Sequence, residues 1–335
     1  MRRLFVAFLI ALPFIAHAQF TIPGFQGALR IAMTPVHPTP GQQVRLALES
    51  ALLDLDTSTI VWSIDGKRSA TSEKYLDIGA GALGTTRIVS AEVTSAEGSI
   101  VSAETTITPT EVDLLYDADS YVPPLYQGRA LPSAGSTLRL TAIPHFRRSN
   151  GTEIPSTDIV FSWKKNGQVL GSLSGRGKSN VSIPAPYLYG TDIVSVEAVS
   201  TDESFAGSAS VAIPSVDPIV RLYQDHPLFG LRLDYALAST TRIIDREMTF
   251  AAIPFFATAS SPADDALLYT WTVDGKPVTT SGETKHELTL GASAGGEARL
   301  SVGISHASNI FFGVENSWRI IFNSSLGADS PFDSN

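Results

Sequence analysis

The residues of this chain that could do chemistry are few, and they are scattered. Histidines stand at His37, His145, His226, His286 and His306, beyond His17 near the N-terminus. A helical zinc motif places two histidines four residues apart on one face, and no pair here has that spacing. Acidic pairs occur at Asp54/Asp56, Asp117/Asp119 and Asp264/Asp265. Clustered carboxylates of this kind can hold calcium, and Asp113, Asp117, Asp119, Asp217 and Asp225 are further candidates. The expectation for all of them is solvated loops, because no EF-hand pattern accompanies them.

Two glycine-rich stretches imitate phosphate-binding motifs. Gly79-Ala80-Gly81-Ala82-Leu83-Gly84 matches G-x-G-x-x-G by letter. A dinucleotide site needs a helix after the glycines, so that its N-terminus meets the pyrophosphate. Here the β-branched stretch Thr85 to Val89 follows, which predicts a loop between strands. Gly177-Lys178-Ser179 resembles the end of a P-loop, but the required earlier glycine is Ser172. No nucleophile, base and orienting group can be named together. The expectation is a chain that is not an enzyme and carries no cofactor and no metal.

The elements that would position any site are strands. Trp62-Ser63-Ile64-Asp65-Gly66-Lys67 returns as Trp163-Lys164-Lys165-Asn166-Gly167-Gln168 and as Trp271-Thr272-Val273-Asp274-Gly275-Lys276. Each is an apolar strand running into Asp-Gly or Asn-Gly, the dipeptides that accept the positive φ angles of a type I′ hairpin. A second alternating strand follows each: Arg87–Val93, Asp192–Val199 and Ala298–Ile304. Closing strands are expected at Ser102–Thr108, Ser208–Ile213 and Ser317–Phe322. Alternation at period 2, punctuated by turn residues, is the pattern of half-buried strands.

Residues 1–18 read as a secretory signal, with Arg2 and Arg3, an apolar run from Leu4 to Ile15, and Ala16-His17-Ala18 as the cleavage site. An uncleaved anchor is the alternative, although the run falls short of the ~20 residues that span a bilayer. Loss of the two arginines takes the net charge from −9 to −11. That argues against nucleic acid and anionic lipid as partners, since both need a basic face. The chain has no cysteine, so no disulfide supports it. An exported, cysteine-free chain of this kind suggests a bacterial periplasmic or surface protein.

The strand order resembles immunoglobulin-like β-sandwiches, including the bacterial PKD and Big-type surface domains. The resemblance covers nearly all of residues 30–324. It implies an all-β fold of three tandem Ig-like modules, at 30–109, 110–214 and 215–324, after the signal and before a disordered tail at 325–335. It implies that Trp62, Trp163 and Trp271 fill the cores. The PKD signature has Gly-Asp-Gly at the turn, whereas this chain has Asp-Gly or Asn-Gly. Short proline-bearing linkers at 108–110 and 213–215 predict a semi-rigid rod.

Modules two and three each carry an aromatic, proline-rich segment before their second long strand. The first holds Tyr121 and Tyr126, the second His226 and Phe229. Such segments either brace a joint between modules or dock a partner, since aromatics dominate binding hot spots. As a binding surface, Tyr121, Tyr126, His226 and Phe229 are the residues of choice. The partner would be an envelope or surface protein or a glycan, with self-association as a further option. The rival readings are a structural spacer without a ligand and a carbohydrate-binding accessory module.

Overall fold

The structure is a computed structural model that describes residues 29–245, 247–280, 282–291 and 295–322. The expected signal at 1–18 and the expected disordered tail at 325–335 lie outside the described residues. The fold is three tandem Ig-like β-sandwiches. They form two compact units, one built on module one and one on modules two and three.

Module one has strands β1 (Arg30–Thr34), β2 (Gln43–Glu49), β3 (Thr59–Ile64), β4 (Lys67–Arg68), β5 (Tyr75–Gly79), β6 (Arg87–Thr94) and β7 (Ile100–Ile107). Sheet β1-β2-β5 faces sheet β4-β3-β6-β7. Strand β2 alternates buried Val44, Leu46 and Leu48 with outward residues, as a strand covered on one face must. The short β4 pairs back onto the tryptophan strand instead of crossing to the opposite sheet, where constant-type immunoglobulin domains place their fourth strand.

Module two has β8 (Glu111–Ala118), β9 (Thr137–His145), β10 (Ile159–Lys165), β11 (Gln168–Val169), β12 (Gly175–Arg176), β13 (Asn180–Pro184), β14 (Thr191–Ser200) and β15 (Ala206–Pro214). It repeats the plan, with β13-β9-β8 against β11-β10-β14-β15, and β12 pairs with β10.

Module three has β16 (Ile219–His226), β17 (Gly230–Leu231), β18 (Thr240–Ile243), β19 (Glu247–Phe255), β20 (Leu267–Val273), β21 (Lys276–Val278), β22 (Glu287–Gly291), β23 (Gly296–His306) and β24 (Gly313–Phe322). Here the first edge splits between the sheets. Strand β16 pairs with β19, while β18 crosses over and runs parallel to β24.

The repeated tryptophan is buried in each core, and in module three Trp318 joins it. Trp62 and Trp163 are fully buried, and Trp271 is 1% exposed. A buried indole N–H needs an acceptor. Trp62 Nε1 donates to the Glu73 carbonyl at 2.8 Å, Trp163 Nε1 to Lys178 at 2.8 Å, and Trp271 Nε1 to Lys285 at 3.1 Å. Each acceptor lies on the connection that carries the chain from the tryptophan sheet to the other sheet. The bond therefore closes the two sheets on one another.

The hairpin turns are latched as well. Asp65, Asn166 and Asp274 all have φ 50°, and Gly66, Gly167 and Gly275 follow at 76°, 81° and 77°. Each turn residue makes two bonds to one residue of the neighbouring long strand. The Asn166 N–H donates to the Ile193 carbonyl at 2.8 Å, and its Oδ1 accepts from the Ile193 N–H at 2.8 Å. Asp65 does the same with Ile88, and Asp274 with Arg299. The turn thus needs a side-chain acceptor as well as a tolerated positive φ.

Aspartate or asparagine is chosen by the next charge. The Arg87 guanidinium lies 3.3 Å from the Asp65 carboxylate. In module two the matching residue is Asp192, which accepts from Asn166 Nδ2 at 2.7 Å and pairs with Lys165 at 2.7 Å. A carboxylate at 166 would face that of Asp192. Bonding to the Ile88 N–H, aided by Arg87, holds the Asp65 carboxyl below its ordinary range.

Replacing Asn166 by alanine loses the latch bond and puts a Cβ-bearing residue without local compensation at positive φ. The expected loss is about 2 kcal/mol in module two, read by urea unfolding. Asn166→Asp should destabilise at pH 7 and recover as pH falls, beginning above the ordinary carboxylate range, because the facing carboxylates raise one pKa of the pair. No recovery of this variant as pH falls would refute the charge argument.

Candidate functional site

The most elaborate contact outside the cores joins modules two and three. The connector between β8 and β9, residues 119–136, leaves its own module and lies on the next one. The Tyr121 N–H donates to the Ala257 carbonyl at 2.7 Å, and the Phe256 N–H donates to the Tyr121 carbonyl at 2.7 Å. Further along, the Val216 N–H donates to the Pro132 carbonyl at 2.7 Å, and Asn309 Nδ2 donates to the Ala134 carbonyl at 2.8 Å. Gly135 has φ 89°, and a Cβ there would fall 2.3 Å from Asn309 Nδ2. A side chain at 135 would therefore be strained and would crowd the Asn309 amide.

The joint is aromatic. Tyr126 meets Phe255 edge-on at 5.6 Å and Phe256 at 6.1 Å, and the two phenylalanines meet at 6.2 Å. Tyr223, Ala251, Ile253, Phe255 and Phe256 form a separate buried cluster, with Tyr121, Val122, Leu131, Val216 and Leu233 packed against it. This cluster lies on the outer face of β19. The inner face of the same strand gives Phe250 and Ala252 to the module core. Strand β19 is thus buried on both faces, which explains its apolar run from Phe250 to Phe256. Burial pushes the Tyr121 and Tyr223 phenols up, and Tyr269 further, so all three are neutral.

Two loops of module three receive the connector, and polar side chains fix both. Asp264 Oδ2 accepts from the Ser260 N–H and hydroxyl at 2.8 Å each, and Oδ1 accepts from the Ala266 N–H at 3.0 Å. These bonds lower its pKa to about 2. His306 Nδ1 accepts from the Asn309 N–H at 3.0 Å, so its proton lies on Nε2, which contacts the Thr258 carbonyl at 3.0 Å. His306 thereby ties the two loops together and aims Asn309 at the connector. Between these contacts, the connector is held to module two by Arg129, which lies over the Tyr116 ring at 4.1 Å.

The four residues chosen from sequence for partner binding fall into two places. Tyr121 and Tyr126 turn onto module three, so both take part in a contact within the chain. Tyr126 keeps 38% of its surface exposed. His226 and Phe229 lie at the β16–β17 hairpin, with ring centres 4.7 Å apart. Phe229 is 72% exposed and Leu228 83%.

A surface that sequence reasoning passed over lies on module two. Tyr187 and Tyr189 are 85% and 81% exposed, in the loop between β13 and β14. That loop is clamped. The Ala185 N–H donates to Ser136 O at 2.9 Å, Gly190 N–H to Tyr187 O at 2.7 Å, Ser215 N–H to Gly190 O at 2.9 Å, and Lys165 Nζ to Pro184 O at 3.1 Å. Tyr189 is held at φ 59°. The available signal was Pro184-Ala185-Pro186-Tyr187-Leu188-Tyr189-Gly190, two prolines and a glycine framing two tyrosines.

Several of the residues that could do chemistry are engaged within the chain. Asp113 contacts His145 at 3.0 Å, Asp119 pairs with Arg139 at 3.6 Å, and Arg176 pairs with Asp158 at 2.7 Å. Lys178 Nζ donates to the Ser172 carbonyl at 2.7 Å, so the glycine-flanked basic turn is tied to its own module. No group of three metal-ligating side chains occurs among the described residues. Gly291-Ala292-Ser293-Ala294-Gly295 also carries the letters G-x-S-x-G, with residues 292–294 outside the described ones. It joins β22 to β23, whereas a nucleophile elbow leads from a strand into a helix.

No protein-family model matches the chain, and no curated protein matches it. Similar solved structures include the central fibronectin-III array of RIM-binding protein, at 11% identity and TM-score 0.32, covering 88% of this chain and 96% of that one. The three N-terminal domains of the bacteriophage RB49 highly immunogenic outer capsid protein follow at 12% and 0.25, covering 88% and 98%. A Bacteroides ovatus mixed-linkage glucan utilization protein, SGBP-B, stands at 14% and 0.23, covering 88% and 70%. Likenesses this weak carry no argument about activity, and the fold assignment rests on the strand pairing.

Truncating Phe255 to alanine should cost about 3–5 kcal/mol and lower the unfolding temperature of module three, read by calorimetry. Acid should also act on the joint. The folded pKa of Asp264 is depressed, so its contribution is whole above about pH 4 and fades as pH falls through about 2. Asp264→Asn should remove that part of the acid dependence.

Proposed function

We propose that the chain is an exported, non-enzymatic binding protein, whose modules present exposed aromatic loops to a protein or glycan in adhesion or envelope assembly. The observation that carries this reading is the loop of Tyr187 and Tyr189. Two tyrosines stand more than four-fifths exposed on backbone that four hydrogen bonds hold in place. A rigid loop loses little entropy on binding, and tyrosine offers a large apolar ring with a polar rim. A strained residue such as Tyr189, held where the surroundings fix it, is also a mark of binding loops.

Export is read from residues 1–18, and among the described residues no helix is long and apolar enough to cross a membrane. The finer family, a PKD-like or Big-type bacterial surface domain, is supported by the strand order around each tryptophan, and the Asp-Gly or Asn-Gly turn departs from the PKD Gly-Asp-Gly. The second reading is a structural spacer or scaffold. It is favoured by the joint, which commits Tyr121 and Tyr126 to packing between modules. A carbohydrate-binding accessory role has less support, because the tyrosines share one loop and do not form a row along a sheet.

The test compares the unmodified chain from residue 19 with a Tyr187→Ala, Tyr189→Ala double variant. Both would be used as bait in envelope extract and on a panel of immobilised glycans. A ligand retained only by the unmodified chain, with at least a tenfold loss in the variant, supports the loop as the binding surface. Equal retention by both moves the contact elsewhere, and retention of nothing leaves the spacer reading as the better one.

A further inference from the structure

The tyrosine loop of module two and the joint to module three are anchored on the same four residues. Ser133-Ala134-Gly135-Ser136 is a tight turn. The Ser136 N–H and hydroxyl both donate to the Ser133 carbonyl, at 3.0 and 2.8 Å, and Gly135 supplies the positive φ of 89°. Ser133, Ala134 and Ser136 are buried. The turn offers two carbonyls to two different modules. Ala134 O accepts from Asn309 Nδ2 at 2.8 Å, and Ser136 O accepts from the Ala185 N–H at 2.9 Å. Ala185 opens the loop that carries Tyr187 and Tyr189.

The far end of the loop returns to the same place. The Ser215 N–H donates to the Gly190 carbonyl at 2.9 Å, and the next residue, Val216, donates its N–H to the Pro132 carbonyl at 2.7 Å. Loop, linker and turn therefore close a ring of backbone bonds. Module three enters this ring at Asn309. The Asn309 N–H is held by His306 Nδ1 at 3.0 Å, and Oδ1 accepts from the Phe311 N–H at 3.1 Å. With Oδ1 committed to its own loop, the amide has its two Nδ2 hydrogens left for the connector.

We infer that Asn309 is a positioning residue for the tyrosine loop: by fixing the turn at 133–136, module three holds Tyr187 and Tyr189 in the form they present to a partner. This rests on the reading of that loop as the binding surface. The physical basis is the strain in the loop. Tyr189 is held at φ 59°, where a residue with a Cβ does not settle unless its surroundings over-determine it. One of the bonds that over-determine it, from Ala185, ends on the turn that Asn309 fixes. Binding at the tyrosines and docking of module three are then coupled, so each strengthens the other.

Amide hydrogen exchange of the full chain from residue 19, at pH 7 and with no partner present, tests this. Asn309→Asp keeps the Oδ1 bond to the Phe311 N–H and replaces the donor to Ala134 by a carboxylate oxygen. The Ala185, Gly190 and Ser215 amides should then exchange about tenfold faster, as expected when a buried carbonyl loses its donor. The amides of β10 and β14 should keep their rates. Asn309→Ser, which removes the same donor without adding a charge, should act in the same direction. Ile310→Ser is the control. Ile310 is 89% exposed on the same loop, so all rates should stay as they are. Unchanged exchange at Ala185 and Gly190 in both Asn309 variants overturns the inference. A rise shared equally by β10 and β14 also overturns it, because Asn309 would then serve overall stability alone. Exchange needs no ligand, so the two readings fail separately. A coupled loop that retains nothing from extract or glycans counts against the binding reading only, and a binding loop indifferent to Asn309 counts against the coupling only.

Discussion

A buried indole nitrogen is the constraint from which the rest of each module follows. Tryptophan gives a cysteine-free sandwich a large apolar filler, but its N–H must find an acceptor inside the core. In all three modules the acceptor is a backbone carbonyl on the crossing between sheets. One side chain therefore fills the core and fixes the connection. The turn that follows the tryptophan strand is fixed in turn by an Asx side chain on the next long strand. Filler, crossing and hairpin form one arrangement, present three times with different neighbours around it.

The joint between modules two and three applies the same chemistry outside a core. Backbone groups of the connector pair with backbone groups of the receiving loop, and aromatic rings close over them. A strand that would normally show one face to water is covered on both. The polar groups that shape the receiving loops, Asp264 and His306, bond to backbone and side-chain groups of module three. Their work is to hold loop backbone where the connector can use it.

Much of the fold was legible because it is carried by local patterns. The tryptophan strands, their Asp-Gly or Asn-Gly turns and the closing strands are each set by residues within a few positions. The fate of the aromatic segments was not legible in that way. Tyr121 and Phe229 occupy similar surroundings in sequence, yet one is drawn into a joint and the other is left in solvent. The difference lies in contacts with residues far away in sequence, Phe256 and Ala257 in the case of Tyr121. A signal did exist in the receiving strand, whose run from Phe250 to Phe256 breaks the period-2 alternation seen in β2. The crossing of β18 to pair in parallel with β24 had no comparable mark. Tyr187 and Tyr189 had the framing prolines and glycine as a mark, but the hydrogen bonds that hold their loop, to Ser136 and Ser215, join residues far away in sequence.

The doubly covered β19 also bears on how the chain can be divided. By strand count, module three is a complete sandwich, and a cut at Ser215 would leave every strand in place. That cut would nonetheless strip Ala251, Ile253 and Phe255 of their cover and turn an interior into a sticky exterior. A piece that keeps this cover in place holds modules two and three together. For a gene that gains and loses modules, these two are accordingly moved as a pair if the outer face of β19 is to stay covered.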